Sequence, residues 1–293
     1  MPDRPVEIAI ATAAKARGSD EDEPLLITAL ESAGLRARPV VWDDATTDWS
    51  AFGSVVVRST WDYPLRRREF LAWADRVGSD RLRNGAEVLW WNTDKVYLRA
   101  LARHGVAIVP TTWIAPDAAE VPLPDSGEYV VKPSVSAGSR DTARYVAGRD
   151  TGALEHVRRI QRSGRYVMVQ PYVASVDATG ETALVYLDGT FSHAVRKAPL
   201  LPPVGHATIE GLFAPEKITP QEPTASQRAA ADHVVAVAHR FLGDLLYARV
   251  DLVDGPDGTP LLLELELSEP SLFLTHAPGS ADRLAAAIAT RTP

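Results

Sequence analysis

Short apolar segments alternate with longer amphipathic ones over roughly the first ninety residues of the chain. Apolar runs bounded by polar residues or glycine are typical of strands, and acidic residues ahead of periodic leucines are typical of helix starts. The strands are predicted at Val6–Ala11, Ala37–Trp42, Ser54–Arg58 and Glu87–Trp91, and the helices from Asp20–Pro24 to Gly34 and over Arg68–Val77. This alternation predicts a parallel sheet covered by helices, which is an α/β unit.

The pattern changes near residue 92. Asn92 is expected to cap a helix over Thr93–His104 that Gly105 ends, and prolines then recur before an apolar strand at Glu128–Lys132. A Pro-rich segment, Ala198–Pro223, predicts a long surface loop. These features favour a boundary near residue 92, followed by a larger α+β unit.

The C-terminal segment ARVDLVDGPDGTPLLLELEL carries three carboxylates on two apolar strands joined by a DG turn. With Asp257-Gly258 at the turn centre, Asp251 lies opposite Glu264, and Glu264 shares a face with Glu266 because strands have a period of two. Directly opposed residues have Cβ atoms about 5 Å apart. Carboxylates this close repel one another, and a divalent cation removes that cost. A Mg²⁺ site is therefore favoured over the alternative, an exposed acidic face balanced by Arg249.

A lysine at the end of an apolar strand marks a second candidate site. Lys132 is followed by SVSAGS, a small-residue loop whose backbone N–H groups can bind phosphate. The phosphate-loop pattern G-x-x-x-x-G-K-[ST] is absent. These residues alone do not specify a nucleotide site, because a strand-edge lysine beside a turn is common.

Two more strand patterns follow this loop. The run Tyr166–Tyr172 closes on Gln170-Pro171, and a hairpin across Asp188-Gly189 sets Glu181 opposite Arg196. Taken alone, the second pair is best interpreted as a surface ion pair, which stabilises little.

The segment RSTWDY follows the third strand of the predicted parallel sheet. Ligands of open α/β sheets bind beyond the carboxyl ends of the strands. Arg58, Ser59 and Asp62 are therefore candidate substrate ligands. The alternative is a polar turn with an aromatic anchor.

Composition excludes several functions. The net charge of −7 offers no basic field for nucleic acid, and the absence of cysteine excludes disulfides, thiol nucleophiles and thiolate metal sites. The motifs G-x-S-x-G and H-E-x-x-H are absent, and no apolar run reaches the ~18 residues of a membrane span. We expect a cytoplasmic monomer or homodimer that binds neither nucleic acid nor membrane.

Taken in order, these segments resemble the ATP-grasp ligases over essentially the whole chain. The resemblance implies the ATP-grasp fold, with an N-terminal parallel α/β domain (1–91), a central domain (92–189, with a lid at about 115–170) and a C-terminal domain (190–293). It also implies ATP and Mg²⁺ as cofactors, with Mn²⁺ as a substitute.

Site roles implied by the resemblance fall on matching positions. Phosphate binding falls on Lys95, Lys132 and Gly138; adenine on Gln170, Pro171, Tyr172 and Val173; ribose on Glu181; Mg²⁺ on Asp251, Glu264 and Glu266; and catalysis on Arg249 and Arg196. One departure is Glu266, where the family usually has asparagine.

Within this family, DEDEPLL, RSTWDY, LWWNTDK and LELELSEPSLFL resemble the cycloserine-synthetase group, the O-ureido-D-serine cyclo-ligases. That resemblance implies a small amino-acid-like substrate whose carboxylate becomes an acylphosphate and is captured by a nitrogen of the same molecule. Its ligands are expected among Arg58, Ser59, Asp62, Ser268, Glu269 and Ser271. Two alternatives remain: an intermolecular amino-acid ligase and an ATP-binding regulator without catalysis.

Overall fold

The computed structural model describes residues 6–149, 151–199 and 217–293. Its strands form three sheets, one for each third of the chain. Their mixture of parallel and antiparallel pairing confirms the predicted α/β and α+β class. In the described part of the chain, no helix has the length and apolar character needed to cross a membrane.

The first sheet is parallel, with strand order β2-β1-β3-β4. Its elements are β1 (Glu7–Thr12), α1 (Glu23–Ser32), β2 (Arg36–Val41), β3 (Ser54–Val57), α2 (Arg67–Val77) and β4 (Leu82–Arg83). Strand β3, which consists of Ser54 and three valines, is buried on both faces, as expected for a sheet covered by helices.

The predicted strand Glu87–Trp91 is wrong, because this segment forms helix α3 (Ala86–Asn92). The helix buries Val88, Leu89 and Asn92 and leaves Trp90 about half exposed. A short apolar run cannot distinguish a strand from a buried helix by its pattern alone.

The predicted cap by Asn92 is also wrong. Helix α4 (Tyr97–Arg103) begins later, and the Asn92 side chain instead bonds the end of the second strand of the C-terminal hairpin and the residue that follows it. Its amide donates to Leu265 O at 2.8 Å, and its oxygen accepts from Leu267 N at 2.7 Å. Asn92 therefore fixes this segment to α3.

The second sheet is antiparallel, with order β5-β8-β6-β7. Its elements are β5 (Thr112–Ile114), β6 (Glu128–Pro133), β7 (Ala143–Val146), α5 (Ala153–Arg162) and β8 (Val167–Pro171). Helix α5 covers one face through Val157 and Ile160, which are fully buried against Val131.

The third sheet is also antiparallel, with order β11-β10-β9-β12-β13. Its elements are α6 (Ser175–Thr179), β9 (Glu181–Leu187), β10 (Thr190–Lys197), β11 (Ile218–Pro220), α7 (Ala225–Leu242), β12 (Tyr247–Asp254), β13 (Pro260–Glu266) and α8 (Ser280–Thr290). The predicted loop Ala198–Pro223 contains the short strand β11, and its residues 200–216 lie outside the described part.

The C-terminal helix joins the first and third sheets. Leu284 and Ile288 of α8 are fully buried in one core with Ile8 and Leu26 of the first sheet layer and Val185 of β9. This shared core fixes the N-terminal layer against the sheet that carries the acidic hairpin. The predicted division after residue 189 falls in the β9–β10 turn, and the three-domain division stays a prediction.

Candidate active site

A cavity of about 500 Å³ opens where the three sheets meet. Many of the predicted site residues line it: Lys95, Lys132, Gly138, Gln170, Pro171, Tyr172, Val173, Glu181, Arg249, Glu264, Glu266, Glu269 and Ser271. The cavity thus collects side chains from every part of the chain.

The acidic hairpin β12–β13 has the predicted register at the cavity. Asp251 lies opposite Glu264, and Arg249 lies opposite Glu266. Arg249 donates from Nε and Nη2 to the two oxygens of Asp251, each at 2.8 Å, and also pairs with Glu266. Glu264 pairs with Lys95 at 3.0 Å. Every carboxylate of the hairpin cluster therefore has a cationic partner.

Charges in this cluster shift its pKa values in opposite directions. Burial by itself raises the pKa of Asp251, but Arg249 and Lys197 outweigh it and lower the value to about 2. Burial and repulsion by Glu264 and Asp251 outweigh Arg249 and raise the pKa of Glu266 to about 7. A cation bound beside Glu266 would stabilise its charged form and so lower its pKa.

The carboxylates of this cluster could hold a Mg²⁺ ion only together with ligands from outside the protein. Across the described ranges, no three Asp, Glu, His or Cys side chains are grouped to enclose an ion by themselves. Mg²⁺ usually takes one or two protein carboxylates and completes its shell with phosphate oxygens and water. Glu264 and Glu266, which line the cavity, fit that requirement, whereas the buried Asp251 does not line it.

The predicted pairing of Glu181 with Arg196 is wrong. A bulge at Ser192 shifts the β9–β10 register by one residue, so that Glu181 lies opposite Lys197. The Lys197 ammonium group bonds Glu181 and Asp251, each at 3.0 Å, and lines the cavity. Arg196 instead donates to Ala178 O at 2.8 Å, outside the cavity lining.

Three lysines surround the acidic hairpin. Lys95, Lys132 and Lys197 are each more than nine-tenths buried and line the cavity. Burial, together with the charges of Lys95 and Lys197, lowers the pKa of Lys132 to about 8. Buried cations that repel one another favour an anionic ligand, and a polyphosphate meets this requirement.

The small-residue loop after Lys132 closes one side of the cavity. Lys95 Nζ donates to Ser136 O at 2.8 Å, and Gly138 has a φ of 59° that suits glycine. Farther along, Asp141 pairs with Arg159 and Arg165, which anchors the loop to α5. These contacts hold the loop against the lysines.

The segment at the end of β8, to which the resemblance assigns adenine binding, lines an apolar slot of the cavity. Pro171, Tyr172 and Val173 line it together with Val109 and Leu263. The Gln170 side chain donates to Thr111 Oγ1 at 2.8 Å. A flat heteroaromatic group fits between such walls.

The RSTWDY segment contacts the cavity through Trp61, which lines it, whereas Arg58, Ser59 and Asp62 do not. Arg58 is fully buried and pairs with two cavity-lining carboxylates, Asp20 at 3.5 Å and Asp22 at 3.1 Å.

The other two side chains of this segment have partners elsewhere. Ser59 bonds Thr12 Oγ1 at 2.7 Å, and Asp62 accepts from Trp42 Nε1 at 2.9 Å. The predicted direct contact of Arg58, Ser59 and Asp62 with a ligand in this cavity therefore has no support from their placement.

Some side chains of the segment after β13 line the cavity, and others are buried in the core. Glu269 and Ser271 line the cavity, whereas Ser268 is buried and donates to Asn92 Oδ1 at 3.2 Å. Ser268 is thus withdrawn from the predicted substrate wall.

Sequence reasoning missed Lys197, Trp61, Asp20 and Asp22 as cavity residues. The bulge that brings Lys197 to the site has no sequence signature. The sequence pattern explains the acidic start of α1 as a helix start, although Asp22 also accepts from Leu272 N and Leu274 N at 2.7 and 2.6 Å. The run of acids in DEDEPLL was the available signal.

Comparison with known proteins identifies the family of this chain. Residues 8–84 match the family described as the N-terminal domain of D-cycloserine synthetase DcsG. The cycloserine biosynthesis protein DcsG of Streptomyces lavendulae is 40% identical over 97% of this chain and 98% of its own length.

Solved structures give the same result. A crystal structure of D-cycloserine synthetase DcsG has a TM-score of 0.88 and 39% identity, covering 97% of this chain and 99% of that one. D-alanine–D-alanine ligase from Bacillus anthracis, at 13% identity, has a TM-score of 0.67 over 98% of this chain and 97% of its own, which shows the shared ATP-grasp fold. The chain belongs to the D-cycloserine synthetase family of ATP-grasp ligases, which are ATP-dependent enzymes.

Proposed function

We propose that this enzyme converts O-ureido-D-serine to D-cycloserine, using ATP to activate the carboxylate and a nitrogen of the same molecule to close the ring. The 40% identity to the cycloserine biosynthesis protein DcsG supports this substrate. The observation that carries the chemistry is the cavity itself, where three buried lysines and Arg249 face the carboxylates of the β12–β13 hairpin.

ATP is proposed to lie along this cavity. The adenine occupies the slot at Gln170, Pro171, Tyr172 and Val173, and Glu181 binds the ribose. The phosphates lie against Lys95, Lys132 and the Gly138 loop. Lys197 also binds phosphate and takes the place at the site that the resemblance gave to Arg196, because Lys197 lines the cavity and Arg196 does not.

Mg²⁺ is proposed to bind Glu264 and Glu266, with Asp251 behind them, and Mn²⁺ to substitute for it. The ion would neutralise charge on the β- and γ-phosphates. Asp251 keeps Arg249 and Lys197 in place through the contacts described above.

In the reaction, the substrate carboxylate attacks the γ-phosphate and ADP leaves. The ureido nitrogen bonded to the side-chain oxygen then attacks the acylphosphate carbon, forming a C–N bond as phosphate departs. Arg249 stabilises the oxyanion of this step. Because both reacting groups belong to one molecule, holding them close replaces a second binding event. After ring closure the ring nitrogen still carries the carbamoyl group, which cycloserine lacks. Water must therefore cleave the bond between this nitrogen and the carbamoyl carbon, releasing carbamate, which decomposes to ammonia and carbon dioxide.

Arg58 is proposed to act on the substrate indirectly. It is held away from the cavity lining and orients Asp20 and Asp22, which line it. Ser271 and Trp61 complete this wall.

The test is ADP release with O-ureido-D-serine as the only amino acid. Release of one ADP and one phosphate per cycloserine formed supports the proposal. Release that requires a second amino acid would identify an intermolecular ligase instead. ATP binding with no release on any small amino acid would identify a non-catalytic regulator.

A further inference from the structure

Glu269 differs from every other carboxylate of the cavity. Asp20, Asp22, Glu181, Glu264 and Glu266 each pair with an arginine or lysine. Glu21 also lines the cavity but is exposed to solvent. Glu269 lines the cavity and is only 9% exposed, yet no hydrogen bond or ion pair to another described residue reaches its carboxylate.

A buried carboxylate without a partner is costly, and the neighbours of Glu269 increase that cost. Burial and the charges of Glu266 and Glu264 outweigh Lys95 and raise the pKa of Glu269 well above its ordinary value. The side chain is held at the cavity by its own backbone, because Glu269 O accepts from Trp61 Nε1 at 3.2 Å. A cationic ligand group would remove the cost.

The position of Glu269 identifies which cation fits. It follows Glu266, the last carboxylate of the hairpin, by three residues, and it adjoins the wall formed by Trp61 and the acidic start of α1. An α-amino acid whose carboxylate reacts beside Lys95 and Glu264 carries its ammonium group only two bonds from the carboxyl carbon. Because the charges of Lys95 and Glu264 both act on Glu269, we expect that ammonium group at this end of the cavity.

We infer that Glu269 binds the α-ammonium group of the amino-acid substrate and selects for substrates that carry it. The inference rests on the proposed function for the identity of the reacting carboxylate. Asp20 and Asp22 add negative charge nearby, but they share Arg58, and Asp22 also accepts two backbone N–H groups. Among the buried carboxylates that line the cavity in the described part of the chain, only Glu269 has its whole charge available to a ligand.

The experiment compares two substrates in two enzymes. O-ureido-D-serine and its des-amino analogue, 3-(ureidooxy)propanoate, are assayed by ADP release with the wild type and with Glu269→Gln. A charged hydrogen bond of this kind is worth about a 10- to 100-fold change. Glu269→Gln should lower kcat/KM for O-ureido-D-serine by about that factor and change the des-amino value by less than about threefold.

Glu23→Gln is the matched control, because Glu23 is 8% exposed and has a pKa raised by burial but does not line the cavity. This substitution should leave kcat/KM unchanged for both substrates. Glu269→Asp retains the charge and should retain most of the discrimination. Melting temperatures should not fall in Glu269→Gln, since the substitution removes an unfavourable buried charge.

Two results would overturn the inference. An equal loss with both substrates would mean that Glu269 acts on the attacking nitrogen or on the fold. A higher Mg²⁺ concentration for half-maximal activity in Glu269→Gln would mean that it binds metal.

Failure of the proposed function has a separate signature, which is a wild type inactive with O-ureido-D-serine but active with another amino acid. The same comparison then uses that amino acid and its des-amino counterpart. If no amino acid supports ADP release, both ideas are overturned.

Discussion

Two hairpins of the third sheet bring opposite charges to one end of the cavity. The β12–β13 hairpin contributes Glu264 and Glu266, and the β9–β10 hairpin contributes Lys197, which bonds the buried Asp251 behind them at 3.0 Å. Each hairpin has one extra residue on its second strand, Leu263 in the first and Ser192 in the second. Each extra residue lies between the turn and the charged site residues of its strand, so each one decides which of those side chains reach the site.

The turns differ, and this difference changes what the extra residue does. The β9–β10 turn has two residues, Asp188 and Gly189, with φ values of 51° and 71°. The last pair of β12–β13 is Asp254 with Pro260, which leaves an odd number of residues in the turn. A turn with an odd number of residues followed by one bulge gives the same pairing as a two-residue turn without a bulge. A turn with an even number of residues followed by one bulge shifts the pairing by one residue. Turn length and bulge must therefore be counted together.

The largest effect is expected from Glu264→Gln in the acidic hairpin. It removes the proposed metal ligand and the partner of Lys95, so ADP release should fall by about 10²- to 10³-fold. The fold should survive, because the Glu264 side chain is 28% exposed. Steady-state rates over a range of Mg²⁺ concentrations and a thermal melt measure both outcomes.

Asp257→Asn, in the exposed turn of the same hairpin, is the control and should keep normal activity. Near-normal turnover by Glu264→Gln would remove Glu264 from the metal site.

A matched pair of substitutions tests the register of the other hairpin. Lys197→Met removes the cation that bonds Glu181 and Asp251 and should lower kcat by about 100-fold. Arg196→Met removes only a bond to Ala178 O and should change kcat by less than about threefold. The reverse order of effects would mean that Arg196, not Lys197, reaches the phosphates in the working enzyme.

Most of the fold follows from patterns that the sequence carries. The parallel sheet, the strands β6, β8, β12 and β13, and the pairing of Asp251 with Glu264 are all encoded by apolar period and turn residues. The prediction that Asp251 lies opposite Glu264 nevertheless assumes a two-residue turn. It is correct because the extra residue Leu263 compensates for the odd number of residues in the actual turn.

The features that the sequence could not predict are those that depend on tertiary contacts. Arg58 looks like a ligand because it follows a strand, but burial and its pairing with Asp20 and Asp22 make it a support for the wall. The run in Ala86–Asn92 folds as a helix because packing, not period, decides so short a segment. Lys197 was missed for the same reason, since a bulge depends on the neighbouring strand.

The smallest effect is expected from deleting Ser192. Removing the extra residue leaves Phe191 opposite Tyr186 and His193 opposite Val185, so Lys197 should still lie opposite Glu181. The deletion loses the bonds of Ser192 Oγ with His193 and Arg283, which should cost about 1 kcal/mol of stability. We therefore expect kcat within about threefold of the wild type and a slightly lower melting temperature. A loss as large as that of Lys197→Met would contradict this account, because it would mean that the twist imposed by the bulge, and not the register alone, aims Lys197 at Asp251.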